Sequence, residues 1–331
     1  MHSTLLRSPR GTAAAAVLAA GGVIAATLLS GGSAARPARA VAVTAPHTPP
    51  QTARQAASTT CNPRVSLSPS ASTSGLALSR IRQAKHLTVG VDQNSYDWGF
   101  RNPATGQIQG FDIDIAKAIA RAIFGTDDSA HLYLKTVPTA RRQEALASRQ
   151  VDLVIRTMDA TCDRIAGTNG HPAVAFSSVY FEASQELVVP KGSPITGFNS
   201  TLNGKRLCLA EGSIAQDDIK AKGYGTKVTA VANQLDCLVR LQLGQVDALM
   251  TDSALAAGQA AQDPAVAVLS NSPLGSDPYA VAVNKHDTDL VRFVNSVLDT
   301  YRKGQWTQSY NQWLKPKLGA TSGPPKPQYS G

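Results

Sequence analysis

The chain is 331 residues long, enough for two lobes of ordinary domain size, about 100–150 residues each. Its formal charge of +9 is misleading: residues 1–60 carry five Lys/Arg (Arg7, Arg10, Arg36, Arg39, Arg54) and no Asp or Glu, which leaves 27 basic against 23 acidic side chains in residues 61–331. That part has no Lys/Arg run with interleaved aromatics, so the composition argues against nucleic-acid binding.

Arg7 and Arg10 precede an apolar run from Ala13 to Leu29, the composition of an export signal. Ala38-Arg39-Ala40 offers a small-x-small cleavage site, yet the run also approaches the minimum for a spanning helix, about 17 residues. Residues 1–40 therefore read as a signal peptide or a membrane anchor, and both fates are open. No lipobox is visible, since Cys61 lies too far beyond the run. Residues 41–75, rich in Ala, Pro, Ser and Thr, read as a disordered tether.

Leu87 to Val91 reads as a first strand, followed by a turn at Asn102-Pro103 and Gly106. Asp112 is placed to cap a helix through Phe124, with Ile115, Ile119 and Ile123 on one face and Gly125 just past its end. Leu132 to Val137 is a strand, Thr139 to Ser148 a helix, and Val151 to Thr157 a third strand. Gln150 to Thr157 (QVDLVIRT) is echoed by Gln245 to Asp252 (QVDALMTD), each copy following a helix-like segment. Such alternation predicts α/β lobes with parallel sheets and helices on both faces.

Residues 180–190 and Tyr279 to Val283 read as two crossovers between lobes, with strands at Arg206 to Ala210, Lys227 to Val231 and Val246 to Thr251 between them. Asp289 to Leu314 is helical. The expected boundaries are 76–186 plus 284–318 for a discontinuous lobe 1, 187–283 for lobe 2, and a flexible Pro-rich tail over 319–331. Four cysteines in an exported chain favour two disulfides, with three connectivities. Cys208–Cys237 is favoured because one lies on a strand and the other on a following helix of the same half, which leaves Cys61–Cys162. No CxxC or neighbouring His pair suggests a metal site.

Ligands of α/β sheets bind outside the carboxyl ends of strands. The residues there are Arg156 and the Thr161-x-x-Arg164 turn in the first half, and Glu211-Gly212-Ser213-Ile214 and Asp252 in the second. A guanidinium fork matches a carboxylate, a Gly-Ser turn opening a helix frees N–H groups for an anion, and Asp252 would take an ammonium. The plainer alternatives are a capped helix with a surface arginine, and Asp252 as a helix cap. Arg156 needs a partner at the mouth of an apolar strand: a ligand carboxylate or a neighbouring Asp such as Asp159. Asp92, Tyr96, Trp98, Phe100 and Arg101 follow the first strand and either wall a small-molecule site or pack in the core. P-loop, HExxH, GxSxG and strand-following GxGxxG patterns are all missing, so the chain does not read as an enzyme.

Gly110-Phe111-Asp112-Ile113-Asp114-Ile115-Ala116, Thr161-x-x-Arg164, Gly204-Lys205-Arg206 with Gly212-Ser213, and Val246-Asp247-Ala248 with Thr251-Asp252 together resemble the polar-amino-acid solute-binding proteins of ABC importers (family 3) over about residues 80–315. Cys61-Asn62-Pro63, Cys162, Asp236-Cys237 and the proline-rich end resemble the actinobacterial glutamate/aspartate-binding branch. The resemblance implies an α/β type II periplasmic-binding-protein fold, two Rossmann-like lobes joined by two crossover strands. It implies that Arg164 grips an α-carboxylate with Thr161 and backbone N–H groups near Met158 and Ser213–Ile214, and that Asp252 receives the α-ammonium. Arg156 becomes a candidate for a side-chain carboxylate, with Asp92 and Trp98 nearby. Asp159 and Asp163 depart from the family's usual Ser/Thr and Glu. The implied partners are an amino acid and an ABC permease, with no cofactor, for a monomer exported and associated with the cell surface. The same fold also serves amino-acid sensors that signal through a membrane protein to a Ser/Thr kinase and, less commonly, dehydratases.

Overall fold

The computed structural model describes residues 61–331 apart from Asn169. The signal or anchor and most of the tether lie outside the described residues. Among the described residues no helix is long and apolar enough to cross a membrane.

Two five-stranded sheets organise the chain. In lobe 1 the order is Leu132–Thr136, Leu87–Val91, Leu153–Val154, Ala282–Asn284, Val174–Phe176; the first three run parallel and Ala282–Asn284 is antiparallel to both its neighbours. In lobe 2 the order is Lys227–Val231, Arg206–Ala210, Ala248–Asp252, Phe181–Pro190, Val266–Tyr279. Again three strands are parallel, and Phe181–Pro190 is antiparallel to both its neighbours. The repeated QVD segments supply the third strand of each sheet. Each lobe is therefore built second strand, first strand, third strand, and the strand ends that matter face the same cleft.

Burial explains the strand sequences. Leu87, Val89 and Val91 are fully covered by the helix Phe111–Phe124, which presents Ile115, Ile119 and Ile123 at helical spacing. In lobe 2, Leu207 and Leu209 face one apolar layer with Ile219 while Cys208 faces another with Cys237 and Leu238. That alternation is the two-faced pleat of a strand covered by helices on both sides. Both Cys61–Cys162 and Cys208–Cys237 are disulfide-bonded, and no cysteine is free.

Several expectations change. Gly110, not Asp112, precedes the helix Phe111–Phe124; its φ of 132° and the 2.4 Å that would separate an added Cβ from Trp98 O both require glycine. Asp112 instead lies buried in the first turn and accepts from Thr157 N–H and Tyr180 Oη, each at 2.8 Å. The described part of the expected tether, residues 61–75, carries a strand at Val65–Leu67, and the helix Leu76–Ala84 follows it. The tail is not loose throughout: Gln328–Ser330 pairs in parallel with Val65–Leu67. The first crossover, expected to open lobe 2 at residue 187, belongs to that lobe's sheet from Phe181, and Val266–Tyr279 is a long strand that composition hid behind Ser, Gly and Pro.

Candidate functional site

A small, nearly closed cleft of about 20 Å³ lies between the lobes. Thr139, Arg142, Arg156, Thr157 and Asp159 line it from lobe 1. Ser213, Gln234, Thr251 and Asp252 face them from lobe 2. A second polar recess along the same seam holds Thr161, Arg164 and Gly212.

Arg164 follows from a local motif. Thr161 caps the Cys162–Ala166 helix, its Oγ1 accepting from Arg164 N–H at 3.2 Å, and this aims the buried guanidinium at the seam. Its Nη1 donates to Asp159 O at 2.8 Å and reaches Asp159 Oδ2 at 3.3 Å. Its Nη2 donates to Gly212 O of lobe 2 at 3.2 Å. Opposite stands the Ile214–Lys222 helix, capped by Ser213, whose Oγ accepts from Gln216 N–H and donates to Ala210 O at 2.6 Å. Ser213 and Ala215 line the cleft at this helix N-terminus, where first-turn N–H groups favour an anion, although Ser213 N–H already donates to Ala210 O at 3.3 Å. Ile214 is its half-buried first residue.

Asp252 precedes the Ser253–Gln262 helix but makes no side-chain cap bond to it. It accepts instead from Tyr279 Oη at 2.5 Å and from Gln185 Nε2, which also donates to Asp277 at 2.6 Å. Asp159, Asp252 and Asp277 converge, with one carboxylate oxygen from each lying within 4.8 Å of the others. Burial raises all three carboxyls; Asp252 beside them adds repulsion at Asp159 and at Asp277, which is pushed up to about 7. A cation brought among them would relieve that cost.

Two site expectations need correction. Arg156 is already partnered: it is 1% exposed, its Nη1 donates to Thr139 Oγ1 at 2.8 Å, and its Nη2 lies 3.1 Å from Asp92 Oδ2. The partner is Asp92 rather than Asp159, and Asp92 is further held by Gln93 N–H, Asn94 N–H and Ser95 Oγ. Trp98 does not wall the cleft. It is buried against Phe111, Phe181 and Tyr279, and its Nε1 donates to Ala254 O at 3.3 Å. The Met158 side chain is buried in the lobe 1 core and its carbonyl accepts from Ala280 N–H at 3.1 Å, which leaves the expectation for the backbone N–H groups near it untouched. Thr157 beside it does reach the cleft, in a left-handed conformation (φ 40°) held by Asp112.

The residue that sequence reasoning missed is Arg142. It opens the Arg142–Ala147 helix, beyond the carboxyl end of Leu132–Thr136, so the strand-end rule applied to Arg156 would have found it. Its Nε donates to Thr139 O at 2.9 Å, Nη1 to Arg156 O at 3.4 Å and Nη2 to Gly212 O at 3.3 Å. Among the described residues it forms no ion pair. Burial, with Arg164 and Arg156 close by, pushes its guanidinium well below its ordinary range. A buried guanidinium held only by carbonyls is a ready donor to a carboxylate.

Two lobes of equivalent topology around a buried cleft, with Arg142 and Arg156 on the lobe 1 wall and Asp252 facing them from lobe 2, define a cleft-binding protein of the type II periplasmic fold. The chain belongs to the bacterial extracellular solute-binding proteins, family 3, whose model matches residues 87–316. It is 33% identical over 239 residues to the ABC transporter glutamine-binding protein GlnH of Bacillus subtilis, covering 72% of this chain and 84% of that one. The glutamate-binding protein GluB of Corynebacterium efficiens is 24% identical over 72% of this chain and 80% of its own. Among solved structures, the solute receptor for L-cysteine of Neisseria gonorrhoeae superposes with a TM-score of 0.67 at 27% identity, covering 73% of this chain and 94% of that one.

Proposed function

We propose that this protein captures a free acidic amino acid, glutamate or aspartate, outside the cytoplasm and delivers it to an ABC permease by closing and opening its cleft. The observation that carries the reading is Arg142 of lobe 1 facing Asp252 of lobe 2 across one small space, with Arg164 in the adjoining recess of the same seam and both arginines bonded to Gly212 O. Arg164, Ser213 Oγ and the Ile214 and Ala215 N–H groups take the α-carboxylate, and Asp252 takes the α-ammonium. Arg142, rather than the Asp92-paired Arg156, takes the side-chain carboxylate. Relatives named for glutamine and for glutamate support the amino-acid class. Export and surface retention through the Ala13–Leu29 segment belong to the same proposal.

A neutral amide cargo is the second reading, favoured by the closed Arg156–Asp92 pair, which removes one cation from the cleft's open charge. Calorimetry on the full chain with glutamate, aspartate, glutamine, asparagine and arginine separates them. Tight binding of glutamate or aspartate alone supports the acidic cargo; preference for glutamine moves the assignment to the amide; binding of none overturns the amino-acid reading.

A further inference from the structure

The residues before the family-matched span form an arm that touches the site from outside. Cys61 is bonded to Cys162, which stands between the cap Thr161 and the guanidinium of Arg164. Val65–Leu67 is held to lobe 1 on both sides. Ser66 Oγ donates to Phe176 O at 2.7 Å, and Asn295 Nδ2 donates to Ser66 Oγ at 2.8 Å and Leu67 O at 2.7 Å. The chain's last strand, Gln328–Ser330, closes over the arm's edge. Both pieces lie outside residues 87–316, the span common to the family.

Between these anchors Arg64 reaches across to the two strands that join the lobes. It forms an ion pair with Glu182 of Phe181–Pro190, and its Nη2 donates to Ser276 Oγ of Val266–Tyr279 at 2.9 Å. Glu182 lies opposite Pro278, one residue from where each strand leaves the lobe 2 sheet for lobe 1. These contacts coexist with the cross-cleft bonds from Arg142 and Arg164 to Gly212 O and from Gln234 Nε2 to Ser95 Oγ at 2.8 Å, so they belong to the closed arrangement.

We infer that the arm is a positioning element of the cleft: Cys61 holds the Arg164 helix and Arg64 holds the joining strands, so the arm favours closure and raises ligand affinity. The inference rests on the amino-acid reading for its ligand, though not for its geometry. A ligand that binds the closed form has an apparent Kd divided by the closed fraction. On this inference, opening rotates lobe 2 about the strands that Arg64 grips and loosens its contacts.

The test compares Arg64→Ala, Glu182→Gln, the double variant, Arg64→Lys, and Cys61→Ser with Cys162→Ser, each in the full chain. Small-angle scattering without ligand gives the radius of gyration, and calorimetry gives Kd for the acidic amino acid the unaltered chain binds. The expected result is a larger ligand-free radius of gyration and about three- to tenfold weaker binding for Arg64→Ala and for the cysteine pair, as for a partly exposed pair biasing a two-state equilibrium. The Arg64/Glu182 double variant is no worse than either single, and Arg64→Lys recovers most of the loss. Unchanged radius and affinity with only a lowered Tm would overturn the inference and leave the arm as a structural support. If the unaltered chain binds no amino acid, the cargo reading fails, and the radius alone decides the arm.

Discussion

Gly212 of lobe 2 lies against Ala140 of lobe 1: a Cβ added to Gly212 would stand 2.8 Å from Ala140 Cα, while Gly212 O accepts from both Arg142 and Arg164. The close approach of two backbones lets one carbonyl tie two guanidiniums across the seam. Gly212→Ala should wedge the lobes apart and weaken ligand binding by at least about tenfold, since the cross-lobe pair must separate before the ligand is enclosed. Gly212 also has φ 69°, which alone costs an alanine about 1 kcal/mol. Gly223 has φ 63° with nothing near its Cβ position, so Gly223→Ala carries the same backbone cost without the clash. Calorimetry on both variants should show affinity lost only at 212; equal losses would assign the effect to strain.

Two of the three buried arginines of lobe 1, Arg156 and Arg142, should fail in different ways. Arg156→Ala leaves Asp92 buried beside a lost partner and should cost about 3 kcal/mol or more of stability. Arg142→Ala breaks no ion pair and relieves like-charge crowding with Arg156 and Arg164, so its stability loss should be smaller. Its effect falls on cargo: glutamate should weaken far more than glutamine, by about tenfold or more relative to it. Thermal melts and paired titrations read both, and a selective loss at Arg156 instead of Arg142 would reverse the assignment.

The last strand gives a test that is independent of cargo. Removing Gln328 to Gly331 deletes the pairing with Val65–Leu67 and the Tyr329 Oη bond to Asp299 at 2.6 Å. A loss of about 1–2 kcal/mol follows, a Tm drop of about 2–4 °C for a chain of this size. An unchanged Tm would mean that the segment contributes nothing in solution.

Much of the fold was legible because the repeat carries it. QVDLVIRT and QVDALMTD have the same length and burial pattern, and each becomes the third strand of its sheet. Thr161 and Arg164 were legible as a cap and a side chain one helical turn apart. What escaped depends on distant partners. Asp92 and Arg156 are 64 residues apart, and no local pattern selects Asp92 over Asp159, three residues from Arg156. Arg141-Arg142 looks like a solvated pair, yet the turn exposes Arg141 on the surface and buries Arg142 in the cleft. Val266–Tyr279 pairs along Phe181–Pro190 through two register shifts, which is why its polar, Pro-containing sequence did not read as a strand.

The acid cluster makes stability and binding respond to pH in opposite directions. Asp277 is pushed up to about 7 by burial and by Asp252, and Asp159 and Asp252 are raised as well. In the unfolded chain such carboxyls titrate near about 4. The native state thus holds these protons more tightly. Their contribution to stability is present in full below about pH 4 and is lost as pH rises through about 7. An ammonium seated at Asp252 favours the ionised carboxylates, so ligand binding expels a proton. Affinity should then fall as pH drops below about 7, by at most about tenfold per unit for one linked proton. Melts of the ligand-free chain and calorimetry at pH 6 and pH 8 measure the two slopes. Affinity independent of pH over that range would show that the ligand's cation does not enter the Asp159–Asp252–Asp277 cluster, and the ammonium site would have to be sought elsewhere in the cleft.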